Sequence, residues 1–419
     1  MRSSVKISAS RAGLAAAVLG ALAIASLSSC DNSYPIYGSI QQEKPGATAG
    51  PFYMASVGRA LAFNGDYFVH RANVAASADG SSWNLVSVGS VGTGYFCTGL
   101  AATSTALYAV INSQVPDKGL GLYSSANGST WTLALADPTS NQTSSPMIDN
   151  VFVANNAVFV ELHNENGTTG TSTAGSTDDT YTLSASFDGS TFSPVVFGNG
   201  GASSSTMPFL GAAYADGAYW IIAKDGLYAS AAFSSTSPSG SFSQVTESGA
   251  PPTGAAIDCI MASTSTPSTL YLGTQAGAVY KRTTGGSGIG SGQWSNVGSL
   301  TYAVTALAEV PVSPTATAIL AGLGANSSTT ASLSISYGYI QLDPASLGVT
   351  SGGASAIVPN STNYDTTLSG KPVTSFFYDP VGKMLFASTD SANLAGASGL
   401  WTTTWNGSSW SSNGWSPVN

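Results

Sequence analysis

The chain has 419 residues with 12 basic and 21 acidic side chains, a net charge of −9, and only 8% of it is charged, against about a quarter in an ordinary soluble domain. No stretch clusters Lys or Arg, so a nucleic-acid backbone or an anionic lipid surface would meet no basic patch. Hydrophobics at 43% and aromatics at 10%, with 48 Gly and 19 Pro, exclude a charge-rich disordered chain and predict many short strands joined by turns.

Residues 1–29 read as an export signal. Arg2, Lys6 and Arg11 form a basic start, and the apolar run Leu14–Leu27 is shorter than the roughly 20 residues a membrane span needs. The run ends in Leu27-Ser28-Ser29-Cys30, which resembles the bacterial lipobox: an aliphatic residue, two small residues and a cysteine. The resemblance implies cleavage before Cys30 and lipid attachment to its thiol. It places the protein in a bacterial envelope, at the periplasmic face or the cell surface, touching the membrane only through that lipid. Residues 30–50 follow as a tether broken by Pro35, Gly38, Pro45, Gly46 and Gly50, and 51–419 carries the fold.

From residue 60 onward the sequence repeats. Paired apolar runs flank Asn64-Gly65, Asp216-Gly217 and the turn Asp379–Gly382, the residue types that tight hairpins need. Gly-apolar-aromatic triplets at 121, 226 and 399 mark a third strand. A turn motif then follows as Ser77–Trp83, Ser125–Trp131, Ser186–Phe192 and Thr404–Trp410. Its core is Asp79-Gly80, Asn127-Gly128, Asp188-Gly189 or Asn406-Gly407, and its closing aromatic is Trp83, Trp131, Phe192 or Trp410. The Asx side chain bonds the turn's own backbone, and the aromatic returns to cover it. Weaker copies end at Phe242 and Trp294, and a degenerate unit with a turn at Asp343-Pro344 lies between Trp294 and Trp410.

Four strands per unit, repeating at about 50 residues, predict an all-β, seven-bladed β-propeller of four-stranded antiparallel blades, with six or eight blades as alternatives. Phe52–Val57 is a candidate for a strand shared between the first and last blades. The turns resemble the Asp-box, or BNR-repeat, propellers of the sialidase-like superfamily. That resemblance implies a structural role for Asp79, Asn127, Asp188 and Asn406 on the outer rim, away from any active centre.

Sialidase-like enzymes clamp a carboxylate with three arginines and use a Tyr–Glu pair and an Asp acid. After the leader only Arg59, Arg71 and Arg282 remain, with Arg59 and Arg71 in one unit, so the triad does not map. No catalytic residue, metal site or cofactor is expected. His70 and His163 lie in different units and read as hydrogen-bonded strand residues. Glu161 and Glu165 read as a solvated rim, and Asp178-Asp179 as part of a polar loop. Cys97 and Cys259 occupy similar repeat positions three units apart, too far for a disulfide, and are expected as free, buried thiols. The insertions 112–119, 164–180 and 388–398 are where partners are expected. The functional expectation is an envelope-anchored module that binds a protein; a glycan-binding or divergent glycan-active propeller is the alternative.

Overall fold

The computed structural model describes residues 58–418, apart from stretches within that span that include Arg71, 114–119, 138–146, 165–179, 325–337, 351–367 and 390–398. Among the described residues there are strands and turns and no helix. Seven sheets follow one another along the chain. The first strand of each is Leu61–Phe63, Tyr95–Ala102, Met147–Ala154, Phe209–Ala215, Ile257–Ala262, Ala303–Ser313 and Val373–Asp379. Each of these strands contacts the first strand of the next sheet, and the last contacts the first. The sheets are therefore seven blades of a closed β-propeller.

Within each blade the strands form an antiparallel meander. Asn64 and Gly65, at φ of 53° and 91°, and Asp216 and Gly217, at 54° and 72°, make the two-residue turns that right-twisted strands favour. Among the described residues blade six shows three strands, with an isolated bridge between Leu342 and Val349 beyond them. A carboxylate serves there, Asp343 Oδ1 accepting the Ala345 and Ser346 N–H groups. Between blades three and four, Val196–Phe197 adds in parallel to the outer strand Ser241–Gln244.

The core is divided among the seven interfaces. Each buried apolar cluster joins two neighbouring blades, such as Phe159 and Tyr219 between three and four, or Tyr67 and Phe386 between one and seven. A blade alone would leave both its faces wet, so burial is collected only by stacking. The ring closes by direct packing of blade seven on blade one, with no shared blade needed; Phe52–Val57 lies outside the described residues.

Candidate functional site

The first strands wall a central cavity of about 460 Å³ bordered by residues of all seven blades. The same irregularity recurs in each wall strand. Pairing with the second strand slips by one residue between Cys97 and Gly99, Ile148 and Asn150, Phe209 and Gly211, Ile257 and Cys259, Val304 and Ala306, and Val373 and Ser375. In blade one Gly58 N–H bonds the His70 carbonyl at 3.0 Å while Leu61 faces Phe68, so Arg59 is the extra residue. The result is a ring of seven bulged residues: Arg59, Thr98, Asp149, Leu210, Asp258, Thr305 and Thr374. None of the seven is buried, whereas the residue before the bulge is buried in blades two to seven. A bulge frees backbone groups and re-aims a side chain.

The freed backbone groups are tied by the neighbouring blade. The His70 ring bonds the Cys97 backbone. Asn112 donates to the Ile148 carbonyl at 3.1 Å, Cys259 Sγ to Val304 at 3.4 Å and Ser388 Oγ to Gly58 at 2.8 Å. Thr305 Oγ1 donates to the Val373 carbonyl, and the Phe209 N–H donates to Glu161. Six of the seven blade junctions are thus stitched where the bulges lie.

The ring's level also fixes its electrostatics. Burial pushes the His70 imidazole down to about 4, so the ring is neutral at pH 7. Burial pushes the Asp258 carboxyl up to about 6 against the opposing pull of Lys224. Arg59 is open to solvent, yet protein surrounds it closely enough that desolvation lowers its pKa from the ordinary value. Glu161 is 4% exposed, and its carboxyl is pushed up to about 8, mainly by burial. The expectation of a solvated Glu161 is corrected: its side chain, on strand Ala157–Asn164, is buried and accepts the Phe209 N–H of blade four. His163 Nδ1 lies 3.4 Å from Asp149 Oδ2, and its ring stacks on Tyr181.

The four turn motifs lie between the third and fourth strands of blades one, two, three and seven. In each, one side-chain oxygen of the Asx residue accepts two consecutive backbone N–H groups: Asp79 from Ser81 and Ser82, Asn127 from Ser129 and Thr130, Asp188 from Ser190 and Thr191, Asn406 from Ser408 and Ser409. Trp83 Nε1 donates back to the Gly80 carbonyl at 3.2 Å, and Trp131 is buried. Gly80, Gly128 and Gly189 meet Met384, Phe68 and Tyr108 of the preceding blade so closely that a Cβ would clash. Trp410 instead reaches blade six, where it donates to Pro311, and Gly407 makes no such close approach. In an antiparallel meander these turns share a face with the turns between first and second strands. The opposite face carries the bulge ring and the ends of the second strands, at Ser113, Asn164, Gly324 and Thr389.

Asn112 and Ser388 prove to be strand residues, buried at the start of two of the expected insertions. Cys97 and Cys259 sit inside their first strands, and both are free; Cys97 is buried, but Cys259, which borders the cavity, is only partly so. Arg282 is fully buried, far from any carboxylate clamp in role: it bonds Glu247 at 2.7 Å and Asp216 at 3.0 Å over the Trp220 ring. Glu247 also accepts from Gly290, Gly292 and Trp294, and these partners outweigh burial to hold it at about 2. It caps the blade-five turn from the neighbouring blade. Glu309 does the same for Thr264 and Ser265. Cys30, Arg71, Glu165 and Asp178-Asp179 lie outside the described residues.

No family model matches the sequence, and no curated protein matches it. A GH74 enzyme from Niastella koreensis is 15% identical over 86% of this chain and 55% of its own, with a TM-score of 0.53. The extracellular domain of a proposed one-component system from B. thetaiotaomicron is 11% identical over 82% of this chain and 38% of its own, at 0.49. YCF48 from Cyanidioschyzon merolae is 12% identical over 83% and 94%, at 0.47. The chain spans little more than a third of the B. thetaiotaomicron domain and about half of the N. koreensis enzyme. What this chain shares with the N. koreensis enzyme is the propeller fold.

Proposed function

We propose that the chain is an exported lipoprotein, anchored through Cys30, whose propeller is a binding module for a protein of the cell envelope. One observation carries the binding reading. The bulge ring and the ends of the second strands, at Ser113, Asn164, Gly324 and Thr389, gather at one face, while the other carries tight turns and the Asx-Gly motifs. Loops held by a rigid scaffold are where recognition is placed. The anchoring half is supported by the basic start, the apolar run and Leu27-Ser28-Ser29-Cys30. A binding rather than catalytic role is supported by Arg282, which is committed to Glu247 and Asp216 inside the fold.

The test is extraction in mild detergent followed by co-purification, with lipid incorporation followed by a clickable fatty acid. The expected result is label on the wild type, none on Cys30→Ala, and a stoichiometric envelope protein with the former. Glycan-array binding without such a partner would replace the protein reading with a glycan one. An unlabelled wild type would remove the anchor.

A further inference from the structure

Consecutive residues of single strands border the central cavity. The runs are 99–102, 150–153 and 374–377, with three residues each at 210–212, 258–260 and 305–307. Side chains of a strand alternate between its two faces, and here they leave for different blade junctions. Leu100 packs with blade one and Ala101 with blade three. Val151 packs with blade two and Phe152 with blade four. Phe376 packs with blade six and Phe377 with blade one. What borders the cavity along such a run is therefore the inner edge of the strand. Among the described residues each first strand ends its sheet and is hydrogen-bonded to the second strand alone, so the N–H and C=O groups of that edge have no ladder partner. At the level of the bulges, side chains take up some backbone groups of the wall. Asn150 Oδ1 accepts the Val151 N–H at 2.9 Å, and Cys97 Sγ donates to the Gly99 carbonyl at 3.3 Å. Further along, among the described residues, no side chain bonds the backbone of 100–102, 152–153 or 376–377. Ser375 Oγ, in the same wall, is buried and has no hydrogen-bond partner among the described residues. Polar backbone in a cavity takes its partners from water or from a ligand.

We propose that the channel receives an extended, uncharged peptide segment of the partner, which enters at the bulge face and pairs its backbone with an inner edge. An extended chain repeats N–H and C=O groups at the strand's own spacing, which is how a strand is added to an open edge. Blade four shows such an addition within the fold: Val196–Phe197 pairs in parallel with the outer strand Ser241–Gln244. The longest bordering runs hold four residues, about 13 Å at the rise of a strand, so the segment is about a tetrapeptide long. The cavity of about 460 Å³ is of the size that takes small ligands. Arg59 and Asp258, which border it, are of opposite sign, so the wall favours neither an acidic nor a basic segment. This inference rests on the binding reading above and gives the partner's contact its chemistry.

Isothermal titration of the purified propeller with acetyl-tetraalanine amide tests it. The probe carries no charge and little side chain, so its backbone supplies the recognition. Two analogues are methylated at alternate backbone nitrogens, one at its first and third residues and the other at its second and fourth. Alternate N–H groups of an extended chain point to opposite edges, so at least one analogue is expected to bind about tenfold or more weakly than the probe. A probe with photo-leucine at its second residue is expected to form adducts on the first strands, within the runs that border the cavity. No binding of the probe at about 10 mM, both analogues bound as tightly as the probe, or adducts confined to the outer strands overturns the proposal. Co-purification of an envelope protein despite such a result would strike the channel site and leave the partner reading in place.

Discussion

The Tyr67 hydroxyl donates to Asp379 Oδ2 at 2.8 Å across 312 residues of sequence, and this bond joins the first blade to the last. Burial, and then Asp379, raise the Tyr67 phenol well above its ordinary range, so it stays a donor at any physiological pH. Asp379 also accepts from the Val381 and Gly382 N–H groups at 2.9 and 2.8 Å, so one carboxylate caps a turn and closes the ring. Tyr67→Phe is expected to cost about 1–2 kcal/mol in urea unfolding, and Asp379→Ala more, since it strands three donors.

The Asx-Gly turns are expected to act as inter-blade locks as well as local turns. Gly65 and Gly128 both have positive φ, at 91° and 75°, but an added Cβ meets nothing at Gly65 and lies 2.4 Å from the Phe68 ring at Gly128. Gly65→Ala carries only backbone strain, about 1–2 kcal/mol. Gly128→Ala adds overpacking of about 1–3 kcal/mol. Unfolding midpoints of the two variants check the order.

Stability is expected to fall as pH rises from 6.5 to 8. Folding raises the Glu161 carboxyl from 4.5 to about 8, so in this window the native state holds a proton that the unfolded chain has released. Stability therefore drops with rising pH, by at most about 1.4 kcal/mol per unit. Glu161 dominates the upper part of this window. His70, lowered to about 4 from 6.5, opposes the slope near pH 6.5 and fades above about 7.5, and Asp137 and Asp258, raised to about 6, act mainly below the window. The thiols, raised by burial, act only near and above 9.0. Glu161→Gln keeps an acceptor for the Phe209 N–H and is expected to flatten the pH profile of the urea midpoint.

Burial pushes both cysteine thiols upward, which removes the reactive thiolate. Native protein is expected to resist alkylation at Cys97 and to react slowly at Cys259, which borders the cavity. Denaturation without reductant is expected to expose both, as read by intact mass.

The repeat was legible because its turns are local. Asp79-Gly80 and Asn127-Gly128 advertise their conformation in two residues, and the returning Trp83 and Trp131 complete the pattern. The bulge ring also left a trace that pattern reading passed over. Each bulged residue is followed by a small one, as in Arg59-Ala60, Thr98-Gly99, Asp149-Asn150, Asp258-Cys259 and Thr374-Ser375. The next blade approaches there: a Cβ on Gly99 would lie 3.0 Å from the Val151 nitrogen. Glu161 and Glu247 were not legible. Their partners, Phe209 and Arg282, lie 48 and 35 residues away in sequence, and only ring packing brings a carboxylate to a neighbouring blade's backbone or cation.

Which face engages a partner in the cell is measured by photo-crosslinking. A photoreactive residue is placed at exposed Lys224, beside the bulge ring, or at Val381, 90% exposed on the turn face. Adducts from position 224 and none from 381 are the expected result. Adducts from 381 alone, or from neither position, would contradict recognition at the bulge face.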